Sequence, residues 1–149
     1  MSLLVTIDND IKKAMLAKDE AGLRGLRAIK SALLLAKTEK GASETLSEDV
    51  EIKVLQKQIK QRKESADIYN SQNRADLAQI EMEELAVIEA YLPKQMSLDE
   101  VESEIKQIIS ETGATGMKDM GKVMGLVTKK LGGKAEGKII SEVVKRLLA

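Results

Sequence analysis

The sequence predicts an all-α fold, and three observations support that prediction. Apolar residues recur at spacings of three and four along most of the chain, as in helices with one buried face. The 149 residues include no Phe or Trp and only two Tyr, so the core must consist of Leu, Ile, Val, Met and Ala, which favours helix packing. No segment alternates with the period of a strand. We therefore expect an N-terminal bundle of about four helices followed by a small three-helix domain.

The first two helices are predicted from their apolar faces. Residues from about 4 to 17 form the first helix, whose inner face consists of Leu4, Ile7, Ile11 and Met15. Asp19 is placed to cap the second helix, whose inner face repeats through Leu23, Leu26, Ile29, Leu33 and Ala36. Lys40-Gly41 is typical of a helix end, and a small polar loop over 42–45 follows it.

Two further helices complete the predicted N-terminal domain. Ser47 is expected to cap a long helix over about 48–71, whose inner residues are Val50, Val54, Leu55, Ile59, Ala66 and Tyr69. The next helix begins near residue 73, and its inner face consists of Leu77, Ile80, Leu85, Ile88 and Leu92. Pro93 ends it, because the residue before a proline avoids the helical conformation. We therefore predict domains over 1–92 and 93–149.

Three shorter helices are predicted after Pro93. Ser97 and Glu100 have the spacing of a capping box at the start of a helix over 98–112. The next helix runs from about 117 to 131, with an apolar face of Met117, Met120, Met124, Val127 and Leu131. The last covers about 136–148, with Ile140, Val143, Val144 and Leu147 turned inward.

The helix over 117–131 carries the main functional signal. Glycine inside a helix is unfavourable by about 0.5 to 1 kcal/mol relative to alanine, so Gly121 and Gly125 need a compensating reason. At 100° per residue they form a bare stripe beside the apolar face, with a ridge of lysines beyond it. Bare backbone allows close approach and lysines attract phosphate, so we expect a nucleic-acid backbone to bind here. The predicted contact residues are Lys118, Gly121, Lys122, Gly125, Lys129, Lys134 and Lys138.

A structural role for these glycines is the alternative, in which they let a neighbouring helix pack close while the lysines stay in solvent. A second basic segment lies over 53–63, where five positive charges occur without an acid, and an acidic belt follows over 64–104. We expect this region to contact a partner protein, although a solvated helix face is the simpler interpretation. The predicted interaction residues are Lys57, Lys60, Arg62 and Lys63.

Composition excludes several kinds of chemistry. The chain has no His and no Cys, which removes the usual neutral-pH base, thiolate nucleophiles, disulfides and common zinc sites. Gly116 to Lys122 has the spacing of a phosphate-binding loop, but Val123 stands where that loop needs Ser or Thr. We expect no catalytic residue, no cofactor and no metal. No apolar run approaches the roughly 20 residues of a membrane span and no signal-peptide pattern opens the chain, so we expect a cytoplasmic protein.

Six segments together resemble the YqeY family, also called the GatB/YqeY-domain proteins. They are LRAIKSA (26–32), KQIKQRKES (57–65), RADLA (74–78), YLP (91–93), KDMGKVM (118–124) and GKA (133–135). The resemblance covers nearly the whole chain, and it implies an all-helical bacterial protein. Its C-terminal part is similar to the tail domain of the B subunit of the tRNA-dependent amidotransferase.

The resemblance also implies a function. The amidotransferase converts Glu-tRNA(Gln) or Asp-tRNA(Asn) to the amidated form, and its tail is associated with holding tRNA. We therefore expect tRNA or a tRNA-handling enzyme as the partner, no membrane or small-molecule substrate, and a binding or adaptor role without catalysis. If the chain has an activity, the resemblance implies carbon-nitrogen ligation with glutamine as amido-N-donor. The tail motif continues as Gly-Lys-Ala-Asn-Pro, whereas this chain has Gly133-Lys134-Ala135-Glu136-Gly137.

Overall fold

Helices make up nearly all of the secondary structure in the computed structural model, which describes residues 2–39, 41 and 45–149. The helices are α1 (Leu3–Ala17), α2 (Glu20–Glu39), α3 (Glu48–Ser71), α4 (Ala75–Glu89), α5 (Leu98–Thr112), α6 (Met120–Leu131) and α7 (Gly137–Leu148). A short 3-10 helix, Met117–Asp119, precedes α6. Within the described ranges the only β-type pairing is an isolated bridge between Gly132 and Ala135. The predicted all-α fold, with four helices before Pro93 and three after it, is confirmed.

The contacts divide the chain into two units, one ending at Leu92 and the other running from Pro93 to Ala149. Each unit has its own apolar core. The core of the first unit contains Ile7, Leu26, Ile29, Leu33, Leu55, Ile59, Leu85 and Ile88. The core of the second contains Val101, Ile105, Ile108, Val123, Val127, Leu131, Ile140, Val143, Val144 and Leu148.

Side-chain caps that the sequence predicts fix the starts of three helices. Asp19 and Ser47 each accept a hydrogen bond from the backbone N–H three residues further on, at 2.9 and 3.4 Å. Ser97 Oγ accepts from the Glu100 N–H at 3.2 Å, so all three predicted caps are confirmed. The Glu100 carboxylate accepts from the Ser97 hydroxyl, where a full capping box would use the Ser97 backbone N–H.

Two predicted inner residues of the first unit lie at the surface instead. Met15 and Ile80 are exposed, and the buried places belong to Ala14 in α1 and Ala78 in α4. The prediction is wrong at both positions because a small residue occupies the inward side of the helix and a larger one lies beside it. Of the predicted loop, Lys40 and residues 42–44 lie outside the described residues, whereas Gly41 adopts the left-handed conformation with φ +100°.

Gly25 marks a close approach between α2 and α4. A Cβ atom built on Gly25 would lie 2.6 Å from Val87 Cβ, which is closer than real Cβ atoms come to one another. Because Val87 is β-branched, its side chain has little freedom to turn away. This glycine is therefore required by packing, a role that the helix pattern did not predict.

Part of the polar middle of α3 is used inside the first unit. The Arg62 side chain is only 13% exposed, and its Nε lies 3.2 Å from Oε2 of Glu84 in α4, whose side chain is 17% exposed. Arg62 also donates to Gln58 Oε1 at 2.6 Å. Glu84 is largely covered, because its carboxylate neutralises this guanidinium between the two helices.

Other polar contacts hold α1 and α4 in place. The Tyr91 hydroxyl donates to Asp10 Oδ2 at 2.6 Å, which joins the segment after α4 to α1. Burial, and then the hydrogen bond to Asp10, raise the pKa of Tyr91 above its usual range. Arg24 in α2 lies 2.9 Å from Glu83 in α4. The first unit is therefore joined by polar contacts around its core as well as by the core itself.

We predict that Gly25→Ala destabilises the protein. Alanine gains helix propensity of about 1 kcal/mol, but overpacking against Val87 costs about 1 to 3 kcal/mol. The expected net loss is about 1 kcal/mol in the free energy of unfolding, measured by urea denaturation. In the background of Val87→Ala, which creates room, the same substitution should be neutral or stabilising. Equal effects in the two backgrounds would show that the close approach is absent.

We also predict different roles for Arg62 and Lys57. Arg62→Gln should lower the free energy of unfolding by about 1.5 to 3 kcal/mol, because it breaks a charged hydrogen bond and leaves Glu84 half-buried without its partner. Lys57→Gln, on the exposed side of the same helix, should change it by less than about 0.5 kcal/mol. Urea denaturation of both variants tests this, and similar values for the two would contradict the structural role of Arg62.

Candidate nucleic-acid interface

The buried side of α6 differs from the predicted one. Val123, Val127 and Leu131 are its buried residues, whereas Met120 and Met124 pack only partly against the core. Met117 lies outside α6 and is exposed. The predicted helix start at residue 117 is wrong because the chain first closes a tight turn, in which the Asp119 N–H donates to the Gly116 carbonyl at 3.0 Å.

Because Val123 lies on the buried side of α6 and Met117 does not, both glycines of α6 face outward. At 100° per residue, Gly121 and Gly125 lie on the side opposite the buried residues Val123 and Val127. A Cβ atom built on either glycine has open space around it, with no described atom beyond the local helix within 4 Å. The alternative interpretation, in which a neighbouring helix packs against these glycines, is therefore not what the described chain shows.

Acidic residues of α5 neutralise part of the positive charge of the second unit. Lys130 Nζ lies 2.9 Å from Glu104 Oε2, and the hydrogen bond and charge of this carboxylate raise the pKa of Lys130. Arg146 lies 3.2 Å and Lys106 3.4 Å from Glu102. The charge of Arg146 in particular lowers the pKa of Glu102. These three cations are therefore satisfied within the unit.

The predicted contact lysines are not among these pairs. All five are exposed, and none has an acidic partner in the described part of the chain: they are Lys118, Lys122, Lys129, Lys134 and Lys138. Lys122 and Lys129 lie on the outward side of α6 beside the glycines. We call Gly121, Lys122, Gly125 and Lys129 the glycine-lysine face. This face combines backbone without side chains and positive charge that no described acid neutralises.

The remaining predicted contacts lie near the two ends of α6. Lys118 is in the 3-10 turn that precedes the helix. Lys134 follows the helix, in a loop whose backbone is fixed because the Lys134 carbonyl accepts from the Met96 N–H at 2.8 Å. Lys138 lies in the first turn of α7. Since α6 has 12 residues and spans about 18 Å, the predicted residues form an extended set and not a compact anion pocket.

A surface groove adjoins this set and was missed by sequence reasoning. It has a volume of about 380 Å³ and lies between α5 and α6, lined by Ile108, Glu111, Thr112, Leu126, Lys129 and Lys130. Leu126 is 42% exposed on the outward side of α6. The sequence feature that could have indicated this groove is Leu126, a large apolar residue on the polar side of an amphipathic helix.

The second predicted surface is divided by the structure. Lys57, Lys60 and Lys63 are exposed on α3, whereas Arg62 is held between α3 and α4 by Glu84. Several acids of the predicted belt are likewise used in internal ion pairs: Glu83, Glu84, Glu102 and Glu104. One internal cation, Arg62, therefore lies among exposed lysines within one short segment.

Two features are absent from the residues that the structure describes. No group of His, Cys, Asp and Glu side chains among them is arranged to hold a metal ion. No helix among them has the length and apolar character needed to cross a bilayer.

Comparisons with known proteins place the chain in a family. Residues 4–148 match the family described as Yqey-like protein. The relatives include the protein called altered inheritance of mitochondria protein 41, mitochondrial, from Meyerozyma guilliermondii, which is 35% identical over 87% of this chain and 68% of its own length. The protein of the same name from Clavispora lusitaniae is 33% identical over 76% of this chain and 66% of its own length. The chain thus spans about two thirds of the length of these relatives.

These relatives also correct one expectation. The sequence pattern and the resemblance predict a bacterial, cytoplasmic protein, whereas the relatives come from fungi and are named as mitochondrial. Their names contradict both expectations. The family assignment itself is confirmed by a match that covers nearly the whole chain. The chain belongs to the Yqey-like protein family.

Proposed function

We propose that this protein binds RNA through the glycine-lysine face of α6 and the lysines at its two ends, and that it acts as a binding or adaptor protein for tRNA. One observation carries the proposal. Two glycines of α6, Gly121 in its first turn and Gly125 in its middle, face open space, and the lysines around them have no acidic partner among the described residues. Both features lower the stability of the free protein, and both favour the binding of a polyanion.

The extended arrangement supports a polymer as the ligand. Small anions are held by several donors that converge on one point, whereas the predicted lysines run along α6 and beyond its C-terminal end. A nucleic-acid backbone presents repeated phosphates and can contact such a row one phosphate at a time. Glycines allow the backbone of the ligand to approach the helix more closely than side chains would.

The family resemblance supports tRNA as the RNA. The C-terminal segments KDMGKVM (118–124) and GKA (133–135) are those that resemble the tail of the tRNA-dependent amidotransferase B subunit. They also contain four of the predicted contact lysines and glycines. Because the relatives are named as mitochondrial, mitochondrial tRNA should be tested alongside bulk tRNA.

We predict that Lys118→Gln with Lys122→Gln weakens tRNA binding. Each lost phosphate contact lowers the slope of log affinity against log salt by about 0.7 to 0.9, so the double variant should lose about 1.5. Affinity measured between 50 and 200 mM salt gives the slope. Lys12→Gln with Lys145→Gln removes the same charge elsewhere and should keep the slope. If the wild-type protein binds tRNA no more tightly than an unrelated polyanion, the proposal fails.

We predict opposite effects of alanine at the glycines on stability and on binding. Gly121→Ala and Gly125→Ala should each stabilise the protein by about 0.5 to 1 kcal/mol, since a methyl group there meets open space. The same substitutions should weaken tRNA binding, because the added side chains keep the phosphate backbone at a distance. Ser103→Ala, on the exposed side of α5, should stabilise without changing binding. Stabilisation with unchanged tRNA affinity would exclude a contact at these glycines.

A further inference from the structure

A second row of free lysines lies on α3. Lys53, Lys57 and Lys60 are exposed and follow one another at spacings of four and three residues, so their side chains share one side of the helix. That side is opposite the buried residues Leu55 and Ile59. We call these three residues the α3 lysine ridge.

The fold leaves the charge of this ridge unbalanced. None of the three lysines forms an ion pair with an acid in the described ranges, although Glu64 lies one turn beyond Lys60. Arg62 differs, since Glu84 neutralises it inside the unit. Like charges one turn apart destabilise a helix, so a bound anion would relieve repulsion among the three lysines.

The chemistry of the ridge fits phosphate better than protein. The exposed residues of α3 between 53 and 64 are Lys, Gln and Glu only, without an apolar anchor. Stable protein interfaces are built around buried aromatic or aliphatic side chains and are depleted in Lys. Contacts with nucleic-acid phosphates need no such anchor, and Lys is among the residues that make them.

We propose that the α3 lysine ridge is a second contact with the RNA phosphate backbone, so that both units of the chain bind the same RNA. This inference rests on the proposed function and extends it from one surface to two. The second contact becomes intramolecular once the first has formed, so two weak surfaces in one chain together give a tighter complex than either alone. They also give a steeper salt dependence, because each phosphate neutralised releases counterions.

The test measures the salt dependence of tRNA binding by the full chain with Lys53, Lys57 and Lys60 all replaced by Gln. Glutamine keeps good helix propensity, and urea denaturation checks that the variant is folded. We expect the slope of log affinity against log salt to fall by about 2 to 2.7. Replacing the three lysines with Arg keeps the charge and should keep the slope. Replacing Lys12, Lys94 and Lys145 with Gln matches the change in net charge and should also keep it.

The outcomes separate the two proposals. If the ridge variant keeps the wild-type slope while Lys118→Gln with Lys122→Gln reduces it, the ridge does not contact RNA and the proposed function stands. If the slope falls equally in the ridge variant and in the variant at Lys12, Lys94 and Lys145, the change reflects net charge alone. That result would contradict the ridge proposal. If the wild-type protein does not bind tRNA, the proposed function fails and the ridge proposal fails with it.

Discussion

The approach of Gly25 to Val87 holds α2 against α4, and the charges of the first unit are arranged around it. α4 carries Glu83 toward Arg24 of α2 and Glu84 toward Arg62 of α3. Two adjacent acids of one helix thus neutralise cations on two neighbours. Because these acids are used inside the unit, none of them reaches the outer side of α3. The positive charge there follows from the way the core is assembled, although the whole chain has no net charge.

The second unit separates its charges in the same manner. The acids of α5 pair with cations of α5, α6 and α7, and the lysines on the outer side of α6 are left without partners in the described chain. A balanced sequence can therefore present basic surfaces, because a partner responds to the local field and not to the net charge. These partly exposed ion pairs neutralise cations as well as acids, so the basic surface of α6 comes from the position of the lysines that have no such partner in the described chain.

Much of the fold could be predicted from sequence because helix period, capping residues and proline act locally. Asp19, Ser47 and Ser97 cap as predicted for that reason. The roles of individual glycines could not be predicted, since they depend on what lies opposite. Gly25 is a packing position and Gly121 faces open space, yet both lie within amphipathic helices. The internal role of Arg62 likewise required its partner Glu84, which is 22 residues away in sequence. The predicted contact lysines remain a prediction.

The outward glycines of α6 also affect how this helix moves. Glycine has more conformational freedom than other residues when a helix unfolds locally. A helix with two unpacked glycines therefore unfolds locally more often than its neighbours. Its amide hydrogens would exchange with solvent faster than those of α5 or α7, although all three helices share one core. A ligand that keeps α6 folded must then offset the conformational entropy that is lost when the helix is ordered. Slower amide exchange in α6 would show that the ligand is bound. The segment that recognises the ligand would also be the one that reports its presence.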